Sequence, residues 1–177
     1  MKKIVLIIKE LIAFLIVISC IPLFIRHFIA KKKATILLYH NPKKEIFDKH
    51  LIYLTKKYNV IPLNKLIEAI NNKNWNQIPS YPLILTFDDG HRGNYNLFDV
   101  CKVHKVNPTI YVCTKIVNSL RGFWFNSVKD SEKDFLKRLS QKKRMEFLKK
   151  KYNFFQNKNL FSNKRQALNK YEILKMK

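Results

Sequence analysis

Acidic residues are scarce: 12 Asp and Glu stand against 35 Lys and Arg in 177 residues, a formal charge of +23. An excess of that size invites a nucleic-acid or anionic-membrane reading. The lysines, however, are crowded together with Asn and Ile, the pattern a biased coding composition leaves, so most of the charge reads as solvated surface. Nucleic acid is not an expected partner. The aromatic residues occupy apolar periodic positions and do not alternate with basic ones as a stacking platform would. Cysteine is scarce too: Cys20, Cys101 and Cys113 are odd in number and give neither a disulfide framework nor a zinc signature. Cys101 and Cys113 read as small core residues. None of His27, His40, His50, His91 and His104 has a second histidine four residues on. What remains is apolar enough for a folded core, with 47% hydrophobic and 13% aromatic residues in a length that suits one domain.

One long apolar run is present. From Ile4 to Ile25 the chain is almost wholly hydrophobic, interrupted by Lys9-Glu10 and Ser19, and about 20 such residues span a bilayer. No small-residue cleavage site of the A-x-A kind follows. Val17-Ile18-Ser19-Cys20 is similar to a lipoprotein cleavage box, but Ile21 to Ile25 stays apolar beyond it. The expectation is an uncleaved N-terminal anchor over residues 1–33, inserted through 4–25. Its orientation is left open, because basic residues flank both ends.

Downstream the pattern turns to α/β. Thr35 to Tyr39 reads as a buried strand ending at the turn His40-Asn41-Pro42. Phe47, Leu51, Leu54 and Tyr58 recur at helical spacing, and a second helix follows Pro62 and ends in the Asn71–Asn74 cluster. Leu83 to Phe87 is a second strand. A helix carrying Leu97, Val100, Cys101 and His104 leads to a third strand over Pro108–Thr114, with His104 read as exposed or capping. Strands alternating with helices predict a parallel sheet. Residues 115–125 read as a loop whose Phe123-Trp124-Phe125 cluster is either a core plug or the wall of a sugar site. His40 sits at a strand's C-terminal end, where α/β folds place chemistry, although a lone histidine there is more often structural.

The second strand ends in Asp88-Asp89-Gly90. Asp-Gly after alternating apolar residues is a common hairpin turn, whereas carboxylates abutting a core strand are costly unless paired or metal-bound. The spacing alone does not separate the two readings. Adjacent strand residues point to opposite faces, so Asp88 and Asp89 are not equivalent, and Gly90 supplies the freedom to re-aim one of them. A site with acids two residues apart, as an aspartate phosphotransfer centre has, is not formed.

The flanks carry a resemblance. Leu38-Tyr39-His40, Pro82 through Thr86-Phe87-Asp88-Asp89-Gly90, Asn94-Tyr95 and Asn107-Pro108-Thr109-Ile110-Tyr111 occur in the order found in the polysaccharide deacetylases of the NodB-homology type, carbohydrate esterase family 4. The resemblance runs from about Thr35 to Trp124. It implies the N-terminal part of a distorted (β/α) barrel, preceded by the transmembrane helix, and metal-dependent hydrolysis of N-acetyl groups on an amino-sugar polysaccharide. It further implies Asp88 as general base, Asp89 as ligand to zinc or a similar divalent metal, and an extracytoplasmic position. His40 and Trp124 are the candidate substrate-binding residues.

The family's H-[S/T]-x-x-H motif, which supplies two more metal ligands, has no counterpart in this chain, and a catalytic zinc takes three protein ligands. The chain is therefore expected to be the N-terminal half of such an enzyme, truncated before its metal site is complete. Residues 34–125 form the deacetylase region and 126–177 a lysine-rich helical insertion or tail, with Phe135, Leu139, Met145, Leu148, Phe154 and Phe155 along its apolar face. Tyr171 to Lys177 reads as a last helix. The alternative is a non-catalytic basic module tethered at an anionic surface. From Ser127 onward, 16 Lys and Arg face five Asp and Glu, and each basic residue near an anionic bilayer contributes about 1 kcal/mol.

Overall fold

The structure, a computed structural model, describes residues 2–154 and 165–177. Phe155 of the expected tail face lies outside them. A four-stranded parallel sheet, β1 Thr35–Tyr39, β2 Asn59–Val60, β3 Pro82–Phe87 and β4 Thr109–Ile110, forms the centre. β3 is its axis. β1 runs along one edge in full register, from Thr35 opposite Leu83 to Tyr39 opposite Phe87. The other edge is shared: β2 pairs with Pro82 and Leu83, and β4 with Thr86 and Phe87. Expected strand Pro108–Thr114 thus shrinks to two ladder residues. The physical reason lies in its partner, which turns away after Phe87, although Tyr111 N–H still donates to the Phe87 carbonyl at 2.8 Å.

Every residue of β3 is buried, so its two faces need separate cover. Leu83, Leu85 and Phe87 meet Phe47 and Leu51 of α3 (Lys44–Lys57) and Val100 and Cys101 of α5 (Phe98–Val103). Ile84, one pleat over, meets Leu66 and Ala69 of α4 (Leu63–Asn71). Phe47 and Leu51 lie one helical turn apart, which is why both reach the same face. Each such fully buried side chain contributes about 1.5–3 kcal/mol. The short β2 was not expected, because two residues are too few to register as a periodic pattern. His104 caps the C-terminal end of α5, one of the two expected roles, and its side chain does more: Nε2 lies 2.6 Å from Asp48 Oδ1, with the ring only 14% exposed, tying the end of α5 to α3.

The expected membrane helix is not continuous. α1 (Lys2–Ile18) stops, Cys20 adopts φ 59°, and α2 (Ile21–Phe24) restarts with Pro in its first turn. Proline has no N–H to continue the ladder and its ring crowds the preceding turn. Among the described residues no single helix is long and apolar enough to cross a membrane; Ile4–Ile18 and Ile21–Lys32 pass that test only together, as a pair bent by 57°. The segment docks on the sheet's lower end. The Arg26 guanidinium lies 4.2 Å from the Tyr81 ring centroid and 5.0 Å from that of Tyr58, and it donates to the Lys57 carbonyl.

Among the described residues three helices follow: α6 (Asp130–Arg138), α7 (Gln141–Tyr152) and α8 (Lys170–Met176). Their apolar face is shifted in part from expectation. Leu136 and Leu148 are fully buried, while Phe135 is exposed. Leu148 is buried as the expected stripe over successive helices has it, while the chain is extended at Leu139, between the two helices, and Ser140 recaps the second, its hydroxyl accepting from Lys143 N–H at 3.4 Å.

Candidate functional site

The C-terminal ends of β1 and β3 lie side by side, and Asp88 is the first residue beyond them. Its N–H donates to the Tyr39 carbonyl at 2.9 Å, extending the ladder by one bond. The backbone then reverses sharply. Asp89 and Gly90 both adopt left-handed conformations, φ 68° and 64°. Sequence reasoning assigned that freedom to Gly90 alone, yet Asp89 shares it, and aspartate is among the few residues that tolerate it. Space also requires the glycine, because a Cβ at Gly90 would lie 2.8 Å from Val112 Cγ1.

The reversal is pinned from the chain's far end. Leu168 N–H donates to the Gly90 carbonyl at 2.9 Å and Arg92 N–H to the Gln166 carbonyl at 2.7 Å, around a bridge between His91 and Ala167. That strap is itself fixed by an ion pair. Arg165 meets the Glu172 carboxylate with two contacts of 2.7 Å, and Glu172 closes a capping box with Asn169 at the start of α8. Burial pushes the Glu172 carboxyl up, but the hydrogen bonds from Arg165 and the Asn169 backbone outweigh it and hold it below the ordinary glutamate value.

Around Asp89 stand two further polar groups. His91 Nε2 is 3.6 Å from Oδ2, and Cys113 Sγ is 3.9 Å from Oδ1. Burial lowers the His91 pKa despite the neighbouring carboxylate, and burial, then Asp89, pushes the Cys113 thiol up. Cys113, expected in the core, is instead exposed beside the carboxylate, whereas Cys101 is buried. β4 ends before Cys113, so the strand pattern that suggested an inward side chain does not extend to it. Neither His91 nor Cys113 was legible as a site residue, since each depends on how the reversal swings the chain.

Asp89 also opens into a cavity of about 210 Å³ whose opposite wall includes Phe123, Trp124, Phe125 and Arg144. The aromatic run behaves in two ways. Phe123 is buried and stacks with Phe125 at 5.1 Å, serving as a plug, while Trp124 is half-buried and faces the cavity with Arg144 5.2 Å from its ring centre. Gln166 Oε1 fixes the run by accepting from Phe123 N–H at 3.1 Å. The structure thus brings Asp89 and Trp124 together. Asp88 does not line this cavity. His40 is exposed at the end of β1, outside the cavity, and its carbonyl accepts from the buried Asn94 side chain at 2.8 Å.

The resemblance implies a divalent metal beside Asp89. Zinc takes three protein donors at about 2.0–2.3 Å. Among the described residues no group of three His, Cys, Asp or Glu could hold a metal ion, and residues 155–164 contain none of these four types. Asp89, His91 and Cys113 therefore do not fit that ion as they stand.

No family model matches this chain, and no curated protein does. Among solved structures, the chain is similar to a de-N-acetylase from Aggregatibacter actinomycetemcomitans, with 22% identity, a TM-score of 0.44, and coverage of 51% of this chain and 42% of that one. It is also similar to a protein named as a polysaccharide deacetylase from Bacillus anthracis, with 19% identity, a TM-score of 0.39, and coverage of 68% of this chain and 48% of that one. The chain spans less than half the length of either.

Proposed function

We propose that this chain is the carboxylate-bearing, glycan-gripping portion of a polysaccharide deacetylase, built as the opening part of a distorted (β/α) barrel. One observation carries the reading: the Asp88-Asp89-Gly90 reversal lies at the C-terminal end of parallel strands, with Asp89 sharing a cavity with Trp124. The ring of Trp124 suits the apolar face of a sugar residue. Asp88 takes a proton from water as general base, the hydroxide adds to the N-acetyl carbonyl, and the C–N bond then breaks as Asp88 returns that proton to the leaving nitrogen, giving acetic acid and an amine that exchange a proton to end as acetate and ammonium. A divalent ion, zinc by resemblance, would polarise that carbonyl, but its coordination calls for donors from outside this chain.

Membrane attachment through residues 4–25 belongs to the same proposal. It is supported by the exposed apolar side chains of α1, Leu6, Leu11, Phe14 and Val17 among them. Flotation with liposomes tests it, and loss of flotation on deleting residues 2–25 is expected.

The glycan reading is tested by calorimetric titration of the full chain in detergent with N-acetylglucosamine hexamer. Trp124→Ala is expected to weaken binding about tenfold, the scale of one aromatic contact. Unchanged binding in that variant, or no binding in the parent, refutes the reading.

A further inference from the structure

The chain has 29 lysines and only six arginines. Where lysine is the default cation, an arginine is informative, because its planar fork recognises carboxylates and phosphates in a way that an ammonium cannot. Three of the six have partners that account for them. Arg165 holds Glu172 in its fork, Arg92 lies close enough to the same carboxylate to lower its pKa, and Arg26 stacks on Tyr81 and Tyr58. Arg138 is exposed on α6.

The remaining two, Arg121 and Arg144, both line the cavity that opens beside Asp89, as does Lys115. Both arginines are half-buried. Neither has a carboxylate partner among the described residues: Arg121 Nη1 reaches only the Lys115 carbonyl at 3.4 Å, and Arg144 sits over the Trp124 ring. Desolvating a cation without an anion is unfavourable, so this arrangement is prepared for an anion that arrives with the ligand. The single carboxylate in the cavity wall, Asp89, is already beside His91.

We infer that the cavity takes an acidic amino-sugar glycan, one carrying a carboxylate or phosphate close to its N-acetyl group, with Arg121 and Arg144 binding the anion while Trp124 stacks on the ring. This rests on the glycan reading above and adds the charge of the substrate to it. The Arg144 guanidinium lies 5.2 Å from the Trp124 ring centre, so a sugar packed against Trp124 beside it has its substituents within reach of that fork, and the small cavity, below the roughly 300–1,000 Å³ of drug-sized sites, suits one sugar residue of a longer polymer.

The test compares two oligosaccharides on the full chain in detergent: a hyaluronan hexasaccharide, in which N-acetylglucosamine alternates with glucuronate, and the neutral N-acetylglucosamine hexamer. The acidic ligand is expected to bind about tenfold more tightly, the scale of one charge-assisted hydrogen bond, and the preference falls as salt rises. Arg121→Gln with Arg144→Gln removes the preference, so that the variant binds the two ligands equally. Arg144→Lys, which keeps the charge and loses the fork, retains only part of it. A control of equal charge, Lys56→Gln with Lys65→Gln on exposed positions far from the cavity, keeps the preference; its loss there would assign the effect to overall charge and overturn the inference. Equal binding of the two ligands overturns the inference alone. Binding of neither overturns the glycan reading with it.

Discussion

Leu168 N–H donates to the Gly90 carbonyl at 2.9 Å, so the carboxylate reversal after β3 is held by a segment that lies beyond α7 in the chain. The conformation of Asp89 depends on that strap as much as on its own neighbours.

Gly90→Ala tests the reversal directly. An added Cβ would lie 2.8 Å from Val112 Cγ1, on a residue with φ 64°. Strain of this kind costs about 1–3 kcal/mol, read as a lower denaturation midpoint in urea. Glycan affinity falls with it, because relief of the clash moves Asp89.

The strap makes its own prediction. Arg165→Met leaves Glu172, a side chain 9% exposed, without its cation, which costs about 3 kcal/mol at neutral pH. The pH dependence has a definite sign. Glu172 titrates below its ordinary value when folded, so its contribution is present at neutral pH and is lost as pH falls through the folded value. The stability gap between parent and variant is therefore expected to narrow in acid. A gap independent of pH from neutral down to the acid transition would show that packing of the Arg165 stem, not the ion pair, sets the cost.

The two carboxylates should separate in function. Asp88→Asn is expected to abolish acetate release, measured with any missing metal donors supplied, while leaving hexamer binding within about twofold, since a general base acts on the proton and not on ground-state affinity. Asp89→Asn is expected to alter binding, because Asp89 and not Asp88 lines the cavity. The reverse pattern would exchange their roles.

Metal content supplies an independent reading. The purified chain, loaded with zinc and desalted, is expected to carry well under one ion per molecule by elemental analysis, since no three suitable donors are grouped among its described residues. Stoichiometric zinc that disappears in Cys113→Ser would show that Asp89, His91 and Cys113 close around the ion after all.

Arg26→Ala should loosen the N-terminal junction. Its stacking on Tyr81 at 4.2 Å is worth about 1 kcal/mol, roughly fivefold in local opening. Limited trypsin digestion at Lys31–Lys33 is the measurement, and the cut is expected to speed up by that factor.

Much of this fold is legible in the sequence. α3, α4 and β3 announce themselves through buried apolar side chains, and Asp88-Asp89-Gly90 stands out because carboxylates are scarce and follow an apolar run; β1, expected as a buried strand, is instead an edge strand with Ile36 and Leu38 exposed, because only β3 covers its side. What escaped notice was non-local. The His104–Asp48 pair, the strap of residues 165–168 over Gly90, and the approach of Cys113 to Asp89 depend on contacts between distant parts of the chain, which no local period encodes. The break at Cys20 escaped for another reason: hydropathy averages across Pro22, whereas the hydrogen-bond ladder cannot.

The docking of Arg26 on Tyr81 has one more consequence. Tyr81 precedes β3 and Asp88 follows it, so the six residues of β3 (Pro82–Phe87) separate the N-terminal attachment from the carboxylates. At about 3.3 Å per residue that is some 20 Å of rigid, fully buried strand. Under the proposed membrane attachment, β3 acts as a stand-off that sets the carboxylates about 20 Å from the attachment point.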